Sequence, residues 1–566
     1  MTQVEAALGR VKTQLSPADY DLFQRLVGTL VAVMSIVSSQ RAMLARLRRL
    51  FGISSSEKTR DVLGDAKPAD AGSADEQSGP ADSDDSAQSS TEQTEGEPTG
   101  RAPEREKRKG HGRLPASVYE AAQHVSVPHQ KLCVGGRCPS CRSDKLYELK
   151  EPARILRIVG QPLLAATCWD CQRLRCSSCG HVHTARAPDE AHGPKFDETA
   201  VAMLALCRYG VGLPHNRLER LQKNMQLPVP SSTQWDVIHE NAPAYEPVFA
   251  ELERLAAQGE VIHNDDTYSR VLSFMGKRRV ELLAAADLPD PDRVGLFTTA
   301  IVSITSDEPL VLFYTGRKYA GENLAGLLKA RATDLEPPVL MSDGLDSRNL
   351  PPGHAVTASN CLAHARRGIV DQVVNFPHEC RHVLDALRKV YVVEARCKQA
   401  CLARDERLAA HQRDSAPVMA ELKQWMEGEL AQKRVEPNSE LGKAYKYMLK
   451  RWDKLTLFLR KAGVPIDNNL CERVLKMAIR HRRNSLFYRS DRGAEIGDMF
   501  MSLIHTAELR GHNPFDYLTE VLRHEKAVAE RPADWLPWTY RATLDRLAAP
   551  IATPVPADGH RSAASA

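Results

Sequence analysis

Between residues 56 and 112 the chain offers almost nothing to bury. Ser, Asp, Glu, Gly, Pro and Ala dominate, and aliphatic side chains nearly vanish. Such a stretch cannot repay the entropy of ordering its backbone. It reads as a disordered acidic linker with a basic end. It splits the 566 residues into a short N-terminal piece and a C-terminal part long enough for several domains. From Glu57 to Glu97 twelve acids stand against three bases, whereas Arg101 to Arg113 holds six bases and two acids. A second basic block, Arg473 to Arg492, has seven bases and one acid. The net charge of +4 is therefore the sum of an acidic tether and basic surfaces. Clustered bases of this kind suit a polyanionic partner.

Ahead of the linker, Phe23, Leu30, Val37, Leu44 and Phe51 recur every seven residues, with Leu26, Val33 and Leu47 three places on. This a/d spacing predicts a coiled-coil helix over 1–55 and a homo-oligomer formed through it. The opening residues lack a basic region leading into an apolar core, and the longest apolar run, 26–37, is too short to span a bilayer. The expectation is a cytoplasmic, nucleoid-associated protein without a membrane partner.

Seven of the thirteen cysteines crowd between Cys133 and Cys179, in three CxxC pairs. A CxxC turn aims two thiolates at one point, and two such turns complete a tetrahedral zinc site. Cys138, Cys141, Cys176 and Cys179 are the favoured ligands, because Cys-Pro-Ser-Cys-Arg and Cys-Ser-Ser-Cys-Gly are knuckle-like. Cys168 and Cys171 enclose a bulky Trp-Asp instead. A structural zinc ribbon is expected over 113–195, and a helical segment over 196–256. That segment has helices at Phe196–Tyr209 and Asn216–Met225 and a third from Gln234 capped by Ser231–Thr233. It is compatible with a DNA-binding helix-turn-helix.

From residue 257 short β-type runs take over: Val261–Asp265, Arg270–Phe274, Arg279–Leu283, Thr298–Ile304, Val311–Tyr314 and Val339–Ser342. A helix fits Gly321–Ala332, and long helical stretches run from Cys361 to about Ala462. Three acids sit at element ends. Asp265 and Asp266 end one strand and face opposite ways, so one of them can join a given site. Asp343 ends another strand. Glu472 lies one turn into a final helix whose N-cap is Asp467 or Asn468. Acids from separate elements can converge on divalent cations, which suit phosphodiester chemistry. Cys361-Leu-Ala-His364 reads as a helix start with a core cysteine and with Arg366 and Arg367 facing DNA. Its other reading is half a metal site completed by His378 or Cys380.

Several motifs occur in a fixed order: Leu50-Phe-Gly-Ile-Ser-Ser-Ser-Glu-Lys58, Lys109-Gly-His-Gly-Arg113, His263-Asn-Asp-Asp-Thr267, Cys361-Leu-Ala-His-Ala-Arg-Arg367, Asp467-Asn-Asn-Leu-Cys-Glu-Arg473 and Gly511-His-Asn-Pro-Phe-Asp-Tyr-Leu518. With them the chain resembles the insertion-sequence-sixty-six family of bacterial DDE transposases, from Arg49 to about Leu522. The resemblance implies an α/β RNase H-like catalytic core with a helical insertion before the last acid. The core would occupy 257–345 and 465–525, the insertion 346–464, and a C-terminal tail 526–566. It also implies Asp265, Asp343 and Glu472 as catalytic ligands of two Mg²⁺ or Mn²⁺ ions, with Asp266 as the alternative first acid. The activity implied is cleavage of element ends and strand transfer into target DNA. Double-stranded DNA, as terminal inverted repeats and target, is then the partner, together with small accessory proteins. Arg473, Lys476, Arg480, Arg482 and Arg483 would contact DNA beside the metals, with a salt bridge to the carboxylates as the other reading of Arg473. Arg366 and Arg367 would face DNA, and Lys109 and Arg113 of the basic tail would track phosphates. The rival readings are a non-catalytic or regulatory DNA-binding derivative and a structure-specific nuclease.

Overall fold

The computed structural model describes residues 163–175, 182–285, 295–306, 308–344 and 346–548, with Arg293 and the pairs 134–135 and 146–147. The expected coiled coil, the acidic linker with Lys109 and Arg113, and Cys138, Cys141, Cys176 and Cys179 lie outside the described residues. Everything described from Leu163 onward belongs to one compact unit. A second unit spans Pro68–Pro162, where Gly135 N–H donates to the Leu146 carbonyl.

The first described strands, β1 (Arg173–Arg175) and β2 (Val182–Thr184), form a small antiparallel hairpin with Arg173 opposite Thr184. Four helices follow: α1 (Glu198–Ala205), α2 (His215–Asn224), α3 (Ser231–Asn241) and α4 (Glu246–Ala256). Asp197 caps α1 by accepting from Ala200 N–H at 2.9 Å. A π-turn, Leu206–Gly210, continues α1 and stacks Tyr209 on Phe500, ring centroids 5.5 Å apart. Helix α3 begins at Ser231, three residues ahead of the expected Gln234. The reason is Glu219 of α2, which accepts from both the Ser231 N–H and its hydroxyl. Ser231 therefore ties two helices together instead of capping one.

Five strands make the central sheet: β3 (Val261–Tyr268), β4 (Phe297–Thr305), β5 (Glu308–Gly316), β6 (Val339–Ser342) and β7 (Thr357–Asn360). Their order is β5-β4-β3-β6-β7. β3, β4 and β5 pair antiparallel, while β3, β6 and β7 run parallel. Two expected strands are absent. Val271 makes a lone bridge to Tyr488, Leu272–Phe274 is a 3-10 turn, and Arg279–Leu283 lies within helix α5 (Gly276–Ala285). The run Lys277 to Ala285 is rich in Lys, Arg, Glu, Leu and Ala, which favour helix over strand. Helix α6 (Ala320–Leu328) connects β5 to β6.

β7 falls inside the segment 346–464 that the sequence assigned to a helical insertion, so the sheet continues to Asn360. The helices then begin: α7 (Leu362–Val370), α8 (Pro377–Gln399), α9 (Arg404–Asp414), α10 (Ala416–Ala431) and α11 (Glu440–Lys450). They bury a second core, including Leu384, Leu387, Met426 and Tyr445, to which Val261 of β3 and Val339 of β6 also contribute. The chain returns through α12 (Asn469–Ser485), α13 (Asp491–Leu509) and α14 (Pro514–Arg523). The segment from 526, expected as a tail, is no appendage over its described part. Val528, Trp535 and Tyr540 are buried in the main core. The whole is a mixed α/β fold, and its sheet is compatible with an RNase H-like core. No helix among the described residues is long and apolar enough to cross a membrane.

The β5 edge of the sheet is covered. On β5, the outward N–H groups of Val311, Phe313 and Thr315 donate to Thr506 Oγ1 (3.0 Å), Ser502 Oγ (2.9 Å) and Asp498 Oδ2 (2.5 Å) of α13. Four helix residues rise about 6.0 Å and two strand residues about 6.6 Å, so the two repeats stay in step. A polar row on one helix thus satisfies an edge that would otherwise invite pairing. On β7, the Ser359 hydroxyl donates to the Lys454 carbonyl at 3.3 Å.

Asp498 is buried, and burial is the main force raising its carboxyl to about 7, against the Thr315 hydrogen bonds that lower it. The folded protein therefore keeps a proton that the unfolded chain releases near pH 4. Stability should fall as pH rises from about 4 to about 7 and level off above. Urea unfolding across that window should show this slope in the wild type and a flatter profile in Asp498→Asn. Asp498→Ala, which orphans the Thr315 N–H, should cost about 1–3 kcal/mol.

Candidate active site

The central strand carries the first acid. β3 pairs with β6 in parallel register, His263 level with Met341. Carrying that register two residues on places Asp343 level with Asp265, and equal parity puts both side chains on one face. Helix α12 packs on that face and presents Glu472 from its first turn. The three acids picked from sequence thus meet. Asp265 feels the charges of Asp343 and Glu472, and burial first, then those neighbours, push its carboxyl up to about 7. Its Oδ1 accepts from the Asp266 N–H at 2.8 Å.

Asp266 points the other way, as strand alternation requires. Thr299 Oγ1 donates to its Oδ1 at 2.6 Å, and Ala320 N–H to its Oδ2 at 2.9 Å. It caps α6, and both its oxygens are engaged.

A buried polar network sets the distance between β3 and α12, and Asn468 is its centre. The Asn468 side chain is fully buried. Its Nδ2 donates to the Asn264 carbonyl at 3.1 Å, so its Oδ1 must accept, and it faces His263 Nδ1 at 2.9 Å. His263 therefore carries its proton on Nδ1. Burial holds the imidazole down at about 4, so it stays neutral near pH 7. The Asn468 N–H donates to Cys361 Sγ at 3.1 Å. Asp343 is fixed similarly: Asn349 Nδ2 donates to its Oδ1 at 2.5 Å, and Tyr447 OH donates to its carbonyl at 2.7 Å. The turn after it needs Gly344, at φ +90°, where a Cβ would stand 2.9 Å from Tyr447 Oη and 3.0 Å from Arg451 Nε.

The basic residues divide. Arg473, Lys476, Arg480 and Arg483 are exposed along one stripe of α12. Arg482 turns inward, donating to Thr267 Oγ1 at 3.1 Å and to the Tyr268 carbonyl. Arg367 lies 3.9 Å from Glu472 Oε2, and Arg366 is half-buried. The alternative partners imagined for Cys361 and His364 are elsewhere: Cys380 is buried in the core of the helical insertion and His378 is exposed. Cys361 and His364 lie beside Glu472 instead. The spacing of Cys361-x-x-His364 flagged these residues, but their partner stands over a hundred positions away. Asn468 was visible only as a helix cap.

The fold and the gathered acids define an α/β protein with a carboxylate-lined site at the centre of a mixed sheet. A family model described as Transposase IS66 family matches residues 194–496, more than half of the chain, and the chain belongs to that transposase family. The matched span runs from just ahead of α1 into α13. Similar proteins occur in Sinorhizobium fredii (strain NBRC 101917 / NGR234). Uncharacterized protein y4hP is 24% identical over 450 residues, 74% of either chain. Uncharacterized protein y4jD is 33% identical over 186 residues, 32% of this chain and 36% of that one.

Asn468→Ala removes the partners of His263 Nδ1 and the Asn264 carbonyl. Each orphaned buried group costs about 1–3 kcal/mol. A urea midpoint well below wild type is the expected outcome; an unchanged midpoint would deny the network its role.

Proposed function

We propose that this transposase cuts the ends of its own element and joins them to target DNA, with Asp265, Asp343 and Glu472 holding two divalent cations on an RNase H-like core. The observation that carries the reading is the convergence of these acids on one face of the sheet. The donor set fits hard cations: the three carboxylate residues are half-buried, and Glu472 Oε1 is buried without a hydrogen-bond partner. When bound, Mg²⁺ or Mn²⁺ supplies an activated attacking oxygen and stabilisation of the leaving oxygen.

The chain's own residues do the rest. Asn468 and Asn349 fix where the carboxylates stand. Arg473, Lys476, Arg480 and Arg483 form a stripe that suits DNA phosphates, because it runs along the helix that begins beside the acids. Helices α2 and α3 are the candidate reader of the element's terminal repeats. No side chain needs to act as a nucleophile, since water and then the DNA 3′-hydroxyl attack. Outside the described residues, the same reading keeps a structural zinc on Cys138, Cys141, Cys176 and Cys179. It also keeps a coiled coil over 1–55 that pairs copies of the chain, and small accessory proteins as helpers. Lys109 and Arg113 would add phosphate contacts.

Asp343→Asn tests the chemistry. It should retain thermal stability and binding to DNA bearing the element's ends, yet lose cleavage by at least a hundredfold. Cleavage at the wild-type rate would sink the assignment. Charge reversal, Arg480→Glu, should weaken binding across all sequences and lower the slope of log affinity against log salt by about 1–2. A filter-binding titration from 50 to 200 mM salt reads this directly.

A further inference from the structure

His364 on α7 and Glu472 on α12 approach closely, Nδ1 to Oε1 at 3.3 Å, each side chain about a quarter exposed. Neither atom has a hydrogen-bond partner, although both are buried. A second histidine in the molecule shows what a satisfied pair looks like. His411 meets Glu394 through Nε2 at 3.0 Å and Ser415 Oγ through Nδ1 at 2.9 Å, and both ring nitrogens are engaged. The pair at Glu472 is built otherwise. Nδ1 and Oε1 form an ion pair only when the imidazole is protonated, and neither atom makes a hydrogen bond, which is costly for buried polar atoms. Two ligands of one cation, each about 2.1 Å from it, stand about 3.0–3.4 Å apart at octahedral or tetrahedral angles. The observed separation lies in that range.

The surroundings narrow the donor set. Cys361 Sγ is also within 4.8 Å, but it is fully buried and takes the Asn468 N–H. Arg367 approaches the other carboxylate oxygen, Oε2, at 3.9 Å, leaving Oε1 to face the imidazole. Backbone order supports the placement. The Cys361 N–H donates to the Ser342 carbonyl, one residue before Asp343, so α7 starts where β6 and β7 deliver the second acid.

We propose that His364 is a nitrogen ligand of the cation held by Glu472, so that one of the two metal positions is built from carboxylate and imidazole. The proposal rests on the three-carboxylate reading above and adds a fourth side chain to it. Imidazole suits borderline transition ions better than Mg²⁺. This position should therefore prefer Mn²⁺ to Mg²⁺ more strongly than an all-carboxylate site does.

The test uses the full chain and Mn²⁺ alone. Pulsed EPR of the Mn²⁺-loaded protein should show ¹⁴N modulation from a coordinated imidazole. In His364→Ala that modulation should vanish, and one Mn²⁺ should bind at least tenfold more weakly by titration. His364→Gln, which keeps the bulk and removes the ring, should behave alike and guards against a folding defect in the alanine variant. Mn²⁺ bound without ¹⁴N modulation would overturn the role of His364 while leaving the carboxylates in place, provided Asp343→Asn still weakens binding. Modulation that persists in both His364 variants would also overturn it. A wild-type protein that takes up no Mn²⁺ would overturn both readings.

Discussion

A carboxylate in the middle of a buried sheet is expensive, and much of this fold serves to keep one there. Asp265 sits on β3, paired on one side with β4 and level with the end of β6 on the other. Burial first, and then the nearby acids, raise its carboxyl to about 7. Such a group persists only if the strand beneath it cannot shift. β3 is the middle strand of the order β5-β4-β3-β6-β7, and the β5 edge is closed by the α13 row of Asp498, Ser502 and Thr506. If β5 could slip or pair elsewhere, β4 and then β3 would follow, since each holds the next by a full antiparallel ladder.

Placement of the third acid is a separate problem, because Glu472 arrives on a helix far along the chain. The solution is polar and local. Asn468 spends its amide on two groups of β3 and its backbone N–H on Cys361, so the first turn of α12 is located against β3 and α7 at once. A buried network of this kind is costly when half satisfied and specific when complete. Here most members have a partner; Asn264 Oδ1, His364 Nδ1 and Glu472 Oε1 do not, and the last two lie where the proposed cation would supply one.

Much of this was legible in the sequence. Apolar runs that stop at an acid mark Asp265 and Asp343, and the Pro465-Ile-Asp-Asn start marks the helix of Glu472. Alternation along β3 separated Asp265 from Asp266, and each acquired partners on its own face. Other features were illegible for physical reasons. β7 is Thr-Ala-Ser-Asn, with no apolar alternation, and it is a strand because β6 offers it hydrogen bonds. α5 was misread because a five-residue window of mixed polarity carries too little period. The polar row on α13 looks like three scattered side chains until the strand spacing beside it is known. Trp535 and Tyr540 gave no local sign that they would return to the core.

The helical excursion leaves and rejoins the sheet at a single neck. Leu362 N–H, at its start, donates to the carbonyl of Ile466, at its end, at 3.1 Å. Both ends of the excursion are thus fixed beside each other, and its helices pack around a core that also takes in Val261 of β3 and Val339 of β6. A loop closed at its base can lengthen or shorten at its far turns without moving the residues that flank the neck. The carboxylates stand on the sheet side of that neck, and the excursion reaches the acid-bearing residues twice, through His364 and Arg367 of α7 and through Tyr447 of α11, which donates to the Asp343 carbonyl. The fold therefore separates what must stay fixed from what can be remodelled, and α7 and α11 both belong to the fixed part.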